Sequence, residues 1–191
     1  MTPHELDPDD ACIAAYLEGD QTAFARLVAR YEQRLLSFAT KLIGDYVTAQ
    51  DIVQEAFVAA ATSAESRSMR FFRSWLFRIA YFKCLRVRHD GKRRPVLPRI
   101  PIGPGREPVD PKSTLRPIEN SERATRLGEL LDRMSAPDRA VLELKYIEGF
   151  STKEIAAATG ARPDTVRKRL YRLRMTIVDL FESDPREQGK S

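Results

Sequence analysis

Between Arg162 and Arg174 the chain carries six Arg and Lys residues, five of them packed into Arg167–Arg174. Guanidinium and ammonium groups at this density donate hydrogen bonds to phosphates, carboxylates or polar ring edges, so their chemistry is recognition of an anion rather than bond breaking. Advancing about 100° per residue from Val166 brings Leu170, Leu173 and Ile177 within about 40° of it, which makes a buried seam. Asp164, Thr165, Arg167, Lys168, Tyr171 and Arg172 share the opposite face, with Arg169 and Arg174 flanking it. Groups that would support catalysis are missing: the only histidines are His4 and His89, and no Gly-rich phosphate loop occurs. No catalytic residue, metal ligand set, cofactor or small-molecule substrate is expected, and the Asp and Glu pairs read as solvated or partner-facing.

The segment before this helix must aim it. Ser151 and Glu154 have capping-box spacing ahead of Ile155, Ala156 and Ala158, "TGARP" makes a tight turn at Gly160, and Pro163 suits the first position of the next helix. Arg162 stands at its N-cap. A short helix, a glycine turn and a second helix with a basic outer face describe an α-hairpin with a solvated basic side or a helix-turn-helix, whose second helix enters the DNA major groove. There Arg and Lys donate to guanine edges or phosphates, and Thr165 meets a thymine methyl or a phosphate oxygen. Upstream, Leu127, Leu130, Leu131 and Met134 form one stripe. Ser135 and Asp138 cap a further helix expected to bury Val141, Leu142 and Ile147 and to close at Gly149.

A second basic constellation lies earlier. Ser66–Arg99 holds eleven Lys and Arg against one acid, Asp90, interleaved with aromatics. Such sorting of charge suggests a polyanionic partner for part of the surface, or a solvated basic face. The elements around it have helical period: Phe24, Leu27, Val28, Tyr31, Leu35, Phe38 and Leu42 in a helix ended by Gly44 and Asp45, then Ile52, Val53, Ala56, Phe57 and Ala60 behind a Thr48 cap. A third stripe, Phe72, Trp75, Leu76, Ile79 and Phe82, runs in a helix from about Arg70 to Arg88.

Composition bounds the rest. With 191 residues, 42% hydrophobic and 31% charged, the chain has material for one or two modest domains. Net charge is +5, but the first twenty residues carry six acids and no Lys or Arg, so the charge is sorted along the chain. Cys12 and Cys84 fall in helical patterns and form no disulfide or metal framework. The acidic start lacks the features of a secretory signal and no apolar run nears the roughly 18 residues of a membrane span. A soluble, cytoplasmic protein without membrane insertion is expected. Gly91–Pro117 holds seven of the twelve prolines, which remove backbone donors and disfavour helix, and reads as a linker. At roughly 27 residues it would average roughly 28 Å as a coil and reach at most ~80 Å as polyproline II.

Two motifs in order carry a resemblance. "AQDIVQEAFVAA" followed by "FFRSWLFRIA" is similar to the second conserved region of the bacterial extracytoplasmic-function sigma factors. "LDRMSAPDRAVLELKYIEGFSTKEIAAATGARPDTVRKRLYRLR" resembles their fourth. The resemblance spans about Thr22 to Phe181. It implies an all-α fold of two small helical domains: an acidic segment 1–19, a region 2-like bundle 20–90, the Pro-rich linker 91–117, a region 4-like helix-turn-helix domain 118–182 and a tail 183–191. It further implies a chain that binds core RNA polymerase, directs promoter recognition and melting, and is held by an anti-sigma factor. By the same resemblance Asp51, Gln54 and Glu55 contact polymerase; Arg67, Arg70, Arg73, Arg78, Arg86 and Arg88 serve the minus-ten element; and Arg162, Thr165, Arg167, Lys168, Arg169 and Arg172 serve the minus-thirty-five element. The chain departs from the family pattern at "AAATS", Ala59–Ser63, and at Phe82, where an Asn is common. A helix-turn-helix regulator acting without polymerase is the rival reading; it leaves the Arg67–Arg88 cluster unexplained.

Overall fold

The computed structural model describes residues 8–63, 72–91 and 119–182, and every regular element among them is helical. The elements are α1 (Pro8–Leu17), α2 (Gln21–Ile43), α3 (Tyr46–Ser63), α4 (Phe72–Gly91), α5 (Glu119–Arg133), α6 (Ala136–Leu142), which runs on as a π turn (Glu143–Ile147), α7 (Thr152–Thr159) and α8 (Pro163–Glu182). The proline-rich stretch 92–118 and residues 64–71 lie outside the described residues, and with them Arg67 and Arg70. No helix among the described residues is long and apolar enough to cross a membrane.

α2 is the axis of the N-terminal half. Its stripe of Leu27, Tyr31, Leu35, Phe38 and Leu42 is almost wholly buried, and each such side chain contributes about 1.5–3 kcal/mol. Asp20 caps its start by accepting the Thr22 amide at 2.9 Å. Gly44 ends it in the left-handed region, φ 79°, donating its N–H to Thr40 O at 2.7 Å. The cap of α3 falls three residues earlier than the Thr48 expected from sequence: the Asp45 carboxylate accepts the Thr48 amide at 2.8 Å, and the helix begins at Tyr46. A carboxylate there binds both the amide and the hydroxyl of Thr48, which leaves Thr48 inside the first turn.

The acidic N-terminal stretch contains α1, whose Cys12 and Ile13 are buried on α2. Asp9, itself buried, accepts hydrogen bonds from Arg30 and from the Tyr31 hydroxyl, so this interior carboxylate is engaged.

In the C-terminal half, Ser135 caps α6 and Ser151 with Glu154 closes the capping box of α7, as their spacing predicts. Ile147 departs from expectation and stands 63% exposed. Glu148 donates its amide to Glu143 O at 3.0 Å, an i→i+5 bond, and the extra residue in that turn rotates Ile147 outward while Glu143 and Leu144 face inward.

The two halves share one core. α7 packs on α4 and α6 on α2, with Phe77 and Phe150, both fully buried, meeting edge to face at 5.2 Å between ring centroids. Around that contact Arg34 pairs with Glu148 at 2.6 Å, Lys41 with Glu143 at 2.9 Å and Arg73 with Glu154 at 2.9 Å. α4 is therefore covered on two sides: its buried apolar set is Phe72, Leu76, Phe77, Ala80, Tyr81 and Cys84, while Phe82, expected in the core, is 43% exposed.

Candidate nucleic-acid interface

α8 is aimed by its neighbours. Gly160, φ 70°, turns the chain between α7 and α8, and a β-carbon there would come within 3.2 Å of the Phe82 ring of α4. Backbone conformation and close approach both select glycine. Val166 N–H then donates to Arg162 O at 3.1 Å, which sets Arg162 at the N-cap ahead of Pro163. Val166 and Leu173 are buried and Leu170 and Ile177 half-buried, the seam expected from the wheel.

The opposite face is open. Arg162, Thr165, Arg167, Lys168, Tyr171 and Arg172 are exposed to solvent, side by side on one surface. Arg167 pairs with Asp164 one turn back. Arg169 is half-buried at the inner edge, where its Nε lies 3.1 Å from Asp138 Oδ1, and Arg172 Nη2 reaches the same oxygen at 3.2 Å. This carboxylate is a site residue that sequence reasoning missed, because cross-helix pairing leaves no periodic signal; only its place in the Ser135 cap was readable.

The basic residues of α4 are distributed differently. Arg73 and Arg78 point at α7: the Arg73 guanidinium lies over the Phe150 ring at 4.1 Å as well as on Glu154, and Arg78 donates to Ala157 O at 2.9 Å. Arg86 is exposed, whereas Arg88 donates to Leu42 O at 2.6 Å and so satisfies a carbonyl at the C-terminal end of α2. Burial pushes the Glu154 carboxyl up, but the Ser151 hydrogen bonds and the Arg73 charge outweigh it and hold the group below its ordinary value. Burial likewise pushes the Cys84 thiol up to about 12, which keeps it neutral and inert. Trp75 is half-buried against Phe72.

On α3, Asp51, Gln54 and Glu55 are all exposed. Gln54 lines an apolar groove between α2 and α3, walled by Phe24, Val28, Leu36, Val53 and Phe57, and Glu55 pairs with Lys83 of α4 at 2.5 Å. A polar rim on an apolar groove suits a protein partner.

Known proteins share this arrangement. The family model for Sigma-70 region 2 matches residues 27–94 and that for Sigma-70 region 4 matches residues 124–177. The ECF RNA polymerase sigma-E factor of Escherichia coli is 30% identical over 179 residues, covering 88% of this chain and 92% of the relative. The ECF RNA polymerase sigma factor SigE of Mycolicibacterium smegmatis is 30% identical over 177 residues, with 91% and 68% covered. Among solved structures, CnrH in complex with the cytosolic domain of CnrY superimposes with a TM-score of 0.67 at 27% identity, covering 93% of this chain and 99% of that one.

Proposed function

The chain belongs to the extracytoplasmic-function RNA polymerase sigma factors, and from that premise we propose how its helices divide the work of starting transcription. It binds core RNA polymerase and directs it to promoter DNA, and an anti-sigma factor is its third partner. The observation that carries the reading is the open basic face of α8 on a glycine-turned helix-turn-helix. Arg162, Thr165, Arg167, Lys168 and Arg172 read the minus-thirty-five duplex, with Arg169 at the inner edge. Asp51, Gln54 and Glu55 dock on polymerase beside the α2–α3 groove. The Arg67, Arg70, Arg73, Arg78, Arg86 and Arg88 set serves the unpaired minus-ten strand. The protein works in the bacterial cytoplasm, beside the chromosome, and does no catalysis of its own.

The clasp between the halves bears on the minus-ten role. Arg73 is held between Glu154 and the Phe150 ring and Arg78 spends one donor on Ala157 O, so a full grip on the open strand calls for the region 4-like half to swing away on its linker. Residues 20–90 and 118–182 then act as separate grips on one promoter.

Run-off transcription with core polymerase tests this reading. Wild-type chain should start transcription at discrete sites; Arg167→Ala or Lys168→Ala should cut promoter use severalfold with unchanged affinity for polymerase. Equal loss of both activities, or strong duplex binding without polymerase, would favour the conventional regulator instead.

A further inference from the structure

Asp138 reads from the sequence only as the partner of a capping serine. In the fold its two oxygens are split between two tasks. Oδ2 accepts the Ser135 hydroxyl at 2.7 Å, while Oδ1 accepts a hydrogen bond from Arg172 Nη2 at 3.2 Å and forms an ion pair with Arg169, whose Nε lies 3.1 Å away. The Asp138 side chain is 20% exposed, so these pairs are screened by solvent less than open surface pairs. The two arginines are treated unequally. Arg169 is 28% exposed and drawn in beside Tyr81 of α4, where its charge opposes the burial that pushes that phenol up. Arg172 is 66% exposed and projects from the basic face with one nitrogen pinned.

An arginine with no carboxylate opposite binds any phosphate and adds affinity that is blind to sequence. Opposing it with a fixed carboxylate removes part of that affinity and sets the direction of the remaining donors, which favours discrimination over strength. We propose that Asp138 is a positioning and specificity-determining residue for the α8 reading face: it withdraws Arg169 from phosphate binding and aims Arg172. The proposal rests on the reading of α8 as the duplex contact. Arg167 is restrained within its own helix by Asp164, whereas Arg162, Lys168 and Arg174 have no ion pair to any described residue. Among the described residues, Asp138 is the carboxylate that pairs with the basic face from a different helix.

The test uses polymerase holoenzyme assembled with the full chain. Binding is measured against salt on two duplexes, one of arbitrary sequence and one selected from a random pool by the wild-type holoenzyme. Asp138→Asn keeps the side-chain shape and an acceptor for Ser135 while removing the charge, and thermal melting confirms that it folds. Its affinity for the arbitrary duplex should rise about three- to tenfold and its log–log salt slope should steepen by about one to two, at ~0.9 per phosphate engaged. The ratio of selected to arbitrary binding should fall. In an Arg169→Ala, Arg172→Ala background the same change should leave the slope alone, as coupling through those two residues requires. As a second variant, Arg169→Ala by itself should not alter the slope, because that charge is already engaged. A slope and ratio like wild type in Asp138→Asn, a parallel fall of both affinities, or a shallower slope in Arg169→Ala overturns the proposal. Failure of the α8 reading would show separately, as promoter use indifferent to Arg167→Ala and Lys168→Ala.

Discussion

Gly160 shows how much one residue can decide. It holds a left-handed backbone, and the space where a side chain would start is filled by Phe82. Gly160→Ala should cost about 1–2 kcal/mol from the left-handed conformation alone, with further loss from the Phe82 contact, read as a lowered melting temperature. Phe82→Ala in the same background should recover the second part only. Phe82 itself was misassigned by periodicity: helical spacing put it with Trp75 and Ile79 on the buried stripe, whereas the ring lies 43% exposed beside Gly160, with the Arg78 guanidinium over it at 5.2 Å. A wheel records direction about an axis. It does not record which neighbour arrives from the far end of the chain.

At the scale of elements, the π turn after α6 does work that a regular helix would not. Residues five apart stand roughly 140° apart on an α-helix, but the i→i+5 bond brings Glu143 and Glu148 to one side, where they meet Lys41 and Arg34 of α2. The third pair, Arg73 with Glu154, gives α7 a dependence on pH. The Glu154 carboxyl is held below its ordinary 4.5, so its contribution is complete above that value and lost as pH falls through the lower folded value. Melting temperature should therefore decline on acidification below about pH 4.5. Glu154→Gln, which preserves the capping-box geometry, should flatten that decline by an amount worth below about 1 kcal/mol, since a third of the side chain is exposed. Asp20 and Asp45, held low chiefly by Thr22 and Thr48, act in the same direction.

For the whole molecule, the consequence is a closed free state. A zero-length carbodiimide joins the Lys41 amine to the Glu143 carboxylate with loss of water, and their 2.9 Å separation makes that peptide pair an expected product in the free chain. The product should fall severalfold once core polymerase and promoter DNA are bound. An undiminished yield in a transcribing complex would mean that the halves stay clasped, and would remove Arg73 from any strand-binding role. The linker expectation for 91–117 falls almost entirely outside the described residues, so the swing is tested by this measurement rather than by geometry.

Local chemistry was legible without a fold. Caps at Ser135 and Ser151, the turn at Gly160 and the seam of Val166 and Leu173 follow from short-range rules, because a capping hydroxyl, a left-handed glycine and a 3.6-residue period act over a few residues. The basic outer face of α8 is legible for the same reason. What tertiary structure alone decided is every pairing between distant helices: Asp138 on Arg169 and Arg172, Phe77 on Phe150, and the three ion pairs that hold α7 and the π turn against the N-terminal half. Such contacts join residues up to 114 positions apart, and they exist because apolar faces left open by each half are buried most completely against each other.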